Sequence, residues 1–311
     1  MTLHHLLSAT DLSRDDLDRY LSLAQFFHTH HLSGTSNWTI ATGKILASLF
    51  FESSTRTRFS FEAAMYRLGG HVMSLEDGSS SSVKKGETLS DMGQIISGYA
   101  DIVIVRHPKA QSVSEFSSRS TIPVINAGDG PNQHPSQSIL DIYAIHKLQG
   151  CIDGLHIGVV GDLKYGRTVN SLLHLLSGYT NLTFYLISDP ELGLDTGLKH
   201  LLTAAGHTVF ESDNLEANIA HLDVLYMTRV QEERFATPDS YHRVKDKAEL
   251  RLNQLIHAKP NLSILHPLPR VTEIATDVDS HPAAHYFDQA KWGLFVRMGI
   301  IVASLFPEFE V

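Results

Sequence analysis

The sequence predicts an α/β protein of two doubly wound domains, each a mainly parallel sheet flanked by helices, linked by interdomain helices. Three observations carry that expectation. Apolar runs at residues 45–51, 101–105 and 155–161 are continuous rather than alternating, the pattern of strands buried on both faces. Stretches with helical recurrence of apolar residues separate such runs. Beyond Gly150-Cys151 the strand–turn–helix order starts again, and 311 residues are enough for two cores. The expected division is residues 1–135 plus 291–311 as one domain and 136–290 as the other.

The elements follow in order. Residues 6–27 read as an amphipathic helical region that begins near Ser13, with Asp15 and Asp16 in the first turn where the helix dipole favours acids. A buried strand at 45–51 leads into a helix over 56–68, in which Phe59, Ala63 and Tyr66 recur with Phe61, Met65 and Leu68; Gly69-Gly70 stops it. A short strand at 71–75 precedes a polar loop, 76–86, basic at its end. A helix over 87–99 turns Leu89, Met92, Ile95 and Ile96 inward, and strands follow at 101–105 and 122–126. A glycine- and proline-rich loop then leads to a helix at 136–148. In the second domain the strand at 155–161 feeds a helix running to Leu176, and further strands fall at 184–187, 207–210, 224–227 and 262–265. The last helix is expected at 292–306, crossing back to the first domain.

Composition narrows the function. A net charge of −9 excludes the basic footprint of a nucleic-acid protein, so local arginines must carry any anion binding. A single cysteine, Cys151, excludes an internal disulfide framework and fits a reducing cytosol. Residues 1–14 lack a basic segment followed by an apolar signal core, and no apolar run approaches the roughly 20 residues of a membrane span. A soluble cytoplasmic protein is expected. Nineteen histidines include His4-His5 and His28, His30 and His31, but neither group has the cysteine or carboxylate spacing of a zinc or iron site, so no metal is expected.

The candidate site begins at Ser54-Thr55-Arg56-Thr57, the first turn of a helix leaving the end of a strand. Such a turn exposes unpaired N–H groups at the positive end of the dipole and favours anions. Two threonine hydroxyls and the side chains of Arg56 and Arg58 add donors, although cations are unfavourable at this end; an anionic ligand would resolve the conflict. Arg106 ends another buried strand, at the edge where open α/β sheets bind ligands. In the second domain Arg167 follows one strand end, and Thr228-Arg229-Val230-Gln231 follows another. The turn at 161–168 imitates a dinucleotide-binding turn but lacks the full Gly-x-Gly-x-x-Gly spacing, and no cofactor is expected.

Phe50-Phe51-Glu52-Ser53-Ser54-Thr55-Arg56-Thr57-Arg58 resembles the carbamoyl-phosphate signature of the aspartate and ornithine carbamoyltransferases, departing at Ser53 where the family usually has Pro. Lys84-Lys85-Gly86-Glu87-Thr88-Leu89, Arg106-His107-Pro108 and His134-Pro135-Ser136-Gln137 resemble further motifs of that family, in order. His266-Pro267-Leu268-Pro269-Arg270, followed by residues 271–279, is similar to the branch that accepts aspartate; the His-Cys-Leu-Pro and Ser-Met-Gly of the ornithine branch do not occur. Lys291-Trp292 departs from the family's usual small and polar residues.

The resemblance implies a reaction and assigns roles. Aspartate's amine attacks carbamoyl phosphate, giving carbamoyl aspartate and phosphate, an early step of de novo pyrimidine biosynthesis. Arg56, Thr57, Arg106 and His134 are the implied catalytic residues. Ser54, Thr55, Arg56, Thr57, Ser81, Lys85, Arg106, His134, Gln137, Pro267 and Leu268 would bind carbamoyl phosphate, with the serine register open across Ser79 to Ser82. Lys85, Arg167, Arg229 and Gln231 would bind aspartate, whose two carboxylates call for separated cationic clamps. In the family the loop carrying Ser81 and Lys85 reaches a neighbouring subunit, which implies a homotrimer with shared sites; further assembly with regulatory chains or dihydroorotase stays open. A carbamoyltransferase for another amine such as ornithine, and a non-catalytic carbamoyl-phosphate-binding subunit, are the alternatives.

Overall fold

A computed structural model describes residues 5–34, 38–76, 86–230 and 249–311. The chain forms two compact units, Met1–Tyr143 with Lys291–Val311, and Ala144–Ala290.

In the first unit, strands β1 (Ile45–Phe50), β2 (His71–Glu76), β3 (Ile102–His107) and β4 (Val124–Asp129) form a parallel sheet in the order β2-β1-β3-β4. The apolar runs read as central strands are nearly fully buried in β1, β3 and β4. The edge strand β2 is half-exposed. Ala47, Leu49, Val103 and Val105 from the central strands and Val124 from β4 pack with Leu89, Met92, Val113 and Phe116. Helix α1 (Arg14–Leu32) starts where Ser13 and Asp16 form a reciprocal capping box. Helix α2 (Thr55–Arg67) follows β1, α3 (Leu89–Ile96) follows β2, and α4 (Ser112–Ser117) follows β3.

The second unit repeats the plan. Strands β5 (His156–Val160), β6 (Thr183–Ile187), β7 (Thr208–Ser212), β8 (Val224–Met227) and β9 (Ser263–Leu265) form a parallel sheet in the order β7-β6-β5-β8-β9. Helix α6 (Arg167–Leu176) follows β5 and α7 (Thr196–Ala204) follows β6. In each sheet the first strand lies between its two later neighbours. The strand order therefore reverses between β1 and β3 and between β5 and β8, and at such a reversal the crossover connections part to leave a crevice at the carboxyl ends of the strands.

Several element bounds differ by a few residues from the expected ones, such as α3 at Leu89–Ile96 rather than 87–99, and two differences bear on the division of the chain. Helix α5 (Pro135–Gln149) belongs to the first unit as far as Tyr143, eight residues beyond the division expected at 135/136. The Tyr143 hydroxyl lies 2.9 Å from His28 Nδ1 and 3.1 Å from Gln25 Oε1, which ties this half of the helix to α1. The last helix, α8 (Tyr286–Leu305), begins before Trp292. Its first turn mixes buried Tyr286 with Asp288 and buried Gln289, which accepts from the His266 N–H (2.9 Å), and so breaks the apolar pattern that starts at Trp292. No helix among the described residues is long and apolar enough to cross a membrane, and these residues contain no group of histidine, cysteine and acidic side chains able to hold a metal ion.

Candidate functional site

In the first unit the predicted residues gather along the carboxyl edge at the reversal between β1 and β3. Phe50 is in register with Arg106, and the Phe51 N–H donates to the Arg106 carbonyl at 2.8 Å. Residues 51–54 therefore leave β1 beside Arg106 and turn into α2. Ser54, at the N-cap, makes no side-chain capping bond, and no acid stands in the first turn. Arg56 and Thr55 are exposed there, and Thr57 is buried. The turn thus keeps the features of an anion site: main-chain donors, hydroxyls and a cation at a dipole's positive end.

Arg58 does not join them. Its guanidinium pairs with Glu76 and lies 3.5 Å from Glu62 Oε1. Glu62 also accepts from Ser48 and Ser74 at 2.9 Å each, so Arg58 belongs to the packing of α2 against the sheet. The donor count expected at this turn is lower by one.

Arg106 is buried, and its Nη2 donates to Glu52 Oε1 at 2.7 Å. A buried cation needs a partner, and a carboxylate between Phe51 and Ser53 supplies one. Glu52 carries no local signal in the sequence, because its pair with Arg106 joins residues at the ends of two strands.

His134 is brought to the same edge by the loop after β4, which winds around buried Asp129. Asp129 Oδ1 accepts from the Gln133 N–H and Asn126 Nδ2, both at 3.0 Å; Oδ2 accepts from the Gln111 N–H and Asn132 Nδ2, both at 2.9 Å. Gly130 sits at φ 55°, and a Cβ there would meet the Pro108 carbonyl at 2.5 Å, so only glycine lets the loop lie this close to β3's end. His134 is buried just ahead of Pro135, the first residue of α5. Its carbonyl accepts from the Gln137 and Ser138 N–H groups (3.0 and 3.2 Å), and its Nδ1 lies 3.4 Å from Ser136 Oγ. One turn on, buried Gln137 donates through Nε2 to Asp141 Oδ1 at 2.7 Å. That bond fixes the amide orientation and leaves Oε1 as its acceptor face.

The second unit presents its residues at the corresponding reversal. The Thr228 N–H and hydroxyl both donate to the Val160 carbonyl, at 2.8 and 2.9 Å. Gly161 permits the approach, with φ 115° and no room for a Cβ, which would meet the Thr228 carbonyl at 2.4 Å. Buried Asp162 accepts from the Tyr165 N–H at 2.9 Å and turns the chain into α6. Half-buried Arg167 is the first residue of that helix, and Gly166 at the N-cap offers no side chain. Half-buried Arg229 follows Thr228 at the end of β8. The two predicted clamps therefore stand at the ends of adjacent strands. Half-buried Pro267 and Leu268 follow β9, next to β8 in the sheet, and the Leu268–Pro269 peptide is cis. Ser81, Lys85 and Gln231 lie outside the described residues.

These features define a class: a chain with two doubly wound units, each with arginines and an uncapped helix start at its strand-order reversal, built to bind small anions. Family models of the aspartate/ornithine carbamoyltransferases match both units, the carbamoyl-P binding domain over residues 4–147 and the Asp/Orn binding domain over residues 153–304. The chain belongs to this family. The aspartate carbamoyltransferase catalytic subunit of Clostridium novyi is 45% identical over 301 residues, covering 97% of each chain. That of Chromobacterium violaceum is 45% identical over 96% of each. Among solved structures, the catalytic subunit of M. jannaschii aspartate transcarbamoylase superposes with a TM-score of 0.92 at 43% identity over 98% of each chain. Aspartate transcarbamoylase from Trypanosoma cruzi in complex with N-(phosphonacetyl)-L-aspartic acid gives 0.89 at 36% identity, over 96% of this chain and 94% of that one; the same enzyme was also solved with carbamoyl phosphate.

Proposed function

We propose that this chain transfers the carbamoyl group of carbamoyl phosphate to the amine of L-aspartate, giving N-carbamoyl-L-aspartate and phosphate, as an early step of de novo pyrimidine biosynthesis. The observation that carries the reading is the start of α2: an uncapped first turn with Arg56, leaving the sheet beside buried, Glu52-paired Arg106. It is a site for a small, highly charged anion. The names and ligands of the relatives support carbamoyl phosphate as that anion and aspartate as its acceptor. The sequence His266-Pro267-Leu268-Pro269-Arg270 supports the aspartate branch over the ornithine branch.

In this reading Ser54, Thr55, Arg56, Thr57 and Arg106 hold the phosphate, with Ser81 and Lys85. Thr57, Arg106 and His134 donate to the carbonyl oxygen, which gains negative charge as the amine attacks; each preorganised donor is worth about 10² to 10³ in rate. Gln137 Oε1 and the carbonyls of Pro267 and Leu268 accept from the carbamoyl NH2. Arg167, Arg229, Gln231 and Lys85 take aspartate's carboxylates, for which arginine's planar fork is suited. The tetrahedral intermediate collapses with loss of phosphate. The departing phosphate can accept the amine's proton, and no covalent enzyme intermediate is required.

The test is product formation by the purified protein from carbamoyl phosphate with aspartate or ornithine. Carbamoyl aspartate without citrulline is the expected result. Citrulline would overturn the assigned acceptor, and no product from folded protein that binds carbamoyl phosphate would overturn the transferase reading. The working unit is proposed to be a cytoplasmic homotrimer in which Ser81 and Lys85 serve a neighbour's site. Mixed Arg56→Ala and Lys85→Ala chains should then regain activity, and no recovery after verified subunit exchange would overturn the sharing.

A further inference from the structure

Leu268 sits at φ 56°, a conformation that a non-glycine residue keeps only when its surroundings hold it there. Its N–H donates to His266 Nδ1 at 2.8 Å. That bond makes Nδ1 the acceptor, so the ring proton is on Nε2, which donates to Glu273 Oε1 at 2.8 Å. Both side chains are buried. Glu273 Oε2 accepts from the N–H groups of Val271 and Thr272, at 3.0 and 2.9 Å, so the carboxylate is anchored in the chain just beyond Arg270. Burial alone would raise the Glu273 pKa, but the imidazole and main-chain donors push it down to about 2. The His266 N–H is fixed in turn by Gln289 Oε1. Both ring nitrogens are thus used inside the loop, and neither is left to touch a substrate.

We infer that His266 is a positioning residue: held by Glu273, it fixes the Leu268 main chain so that the Leu268 carbonyl is set as an acceptor for the carbamoyl NH2 group. This role rests on the carbamoyltransferase reading above. It goes beyond that reading in giving a function to a buried pair that touches no reactant.

Two substitutions separate positioning from mere packing. His266→Leu removes both bonds. His266→Asn cannot reach Glu273, but its Oδ1 can accept from the N–H two residues on, as in an Asx-turn. Both variants leave Glu273 without the imidazole, so a purely structural role predicts equal damage. Positioning predicts that His266→Leu lowers kcat about 10- to 100-fold, the scale expected for a misplaced reacting group, with the Kd for inorganic phosphate unchanged. His266→Asn should then recover most of that loss while unfolding at the same temperature as His266→Leu. Equal kcat in the two variants, or wild-type kcat in His266→Leu, would overturn the role. If His266→Leu does not fold, a loss of about tenfold or more in folded His266→Asn would overturn it alone. A wild-type protein that makes no carbamoyl aspartate would instead refute the underlying reaction, and that result is read without any substitution.

Discussion

Helices α1, α3 and α7 begin on side-chain caps, and α2 and α6 begin without them. Ser13 and Asp16 close a capping box on α1, Thr88 accepts from the Asp91 N–H at the start of α3, and Asp195 accepts from the N–H groups of Gly197 and Leu198 at the start of α7. At α2 the N-cap is Ser54, with its hydroxyl unused for capping, and at α6 it is Gly166. The first turns of α2 and α6 lack an acid and carry an arginine instead, Arg56 or Arg167, whereas the short α4, also without a side-chain cap at Gln111, has Glu115 in its first turn and no arginine. Helices α2 and α6 each follow the central strand at which their sheet reverses order. A capped helix has satisfied its first N–H groups from within the chain, whereas an uncapped one keeps them for something else. An uncapped start that also carries an arginine and no acid is the feature proposed to separate helices that hold a ligand from helices that hold the fold.

The largest effect should come from removing the cation at the uncapped start of α2. Arg56→Ala is expected to lower kcat about 10² to 10³-fold, the scale for losing one preorganised charge donor. Because Arg56 is exposed, the thermal unfolding midpoint should stay at the wild-type value. Near-normal turnover in this variant would break the distinction between ligand-holding and fold-holding helices. Arg58→Ala, two residues on, should do the reverse. Removing its ion pairs with Glu62 and Glu76 lowers stability and leaves phosphate affinity nearly unchanged, as paired thermal melts and phosphate titrations would show.

Arg167→Ala makes the corresponding test in the second unit. One charge-assisted hydrogen bond is worth about 1.5 to 3 kcal/mol, so KM for aspartate should rise about 10- to 150-fold. Inorganic phosphate should bind as before, since its proposed donors belong to the first unit. A change in phosphate affinity as large as the change in KM would mean that α2 and α6 do not serve separate ligands.

How far the sequence reveals this arrangement depends on whether the cause is local. The strand at 224–227 is observed with the same bounds, because four buried residues in a central parallel strand read as one apolar run. The start of α1 at Ser13 is likewise legible, since a capping box is written in four consecutive residues. The reversals in strand order are not legible, because they depend on which strands pair. Glu52 stayed hidden for the same reason: its partner Arg106 is 54 positions away. Arg58 differs, because its partner Glu62 stands four residues on, a spacing that makes neighbours on one helix face and is legible locally. The resemblance supplied His134 and Gln137, and the structure adds why they are rigid, through Asp129 under the first and Asp141 under the second.

The smallest expected effect is also the most direct test of the contrast. Ser13→Ala removes a cap whose oxygen accepts from the Asp16 N–H, and the usual cost of such a change is about 1 kcal/mol. Ser54→Ala removes the same hydroxyl from an N-cap position where it makes no capping bond, so its cost to stability should stay within about 0.5 kcal/mol. Function should divide the other way. Ser13→Ala should leave phosphate affinity unchanged, and Ser54→Ala should weaken it, because Ser54 is proposed to face the phosphate. Chemical denaturation of the two variants, with and without saturating phosphate, measures both quantities on one sample. If Ser54→Ala destabilises the phosphate-free protein as much as Ser13→Ala does, the start of α2 is an ordinary cap, and its missing hydrogen bond says nothing about ligands. If the Ser54→Ala difference emerges only when phosphate is present, the serine's energy is realised in the complex, as expected where a helix start is kept open for an anion.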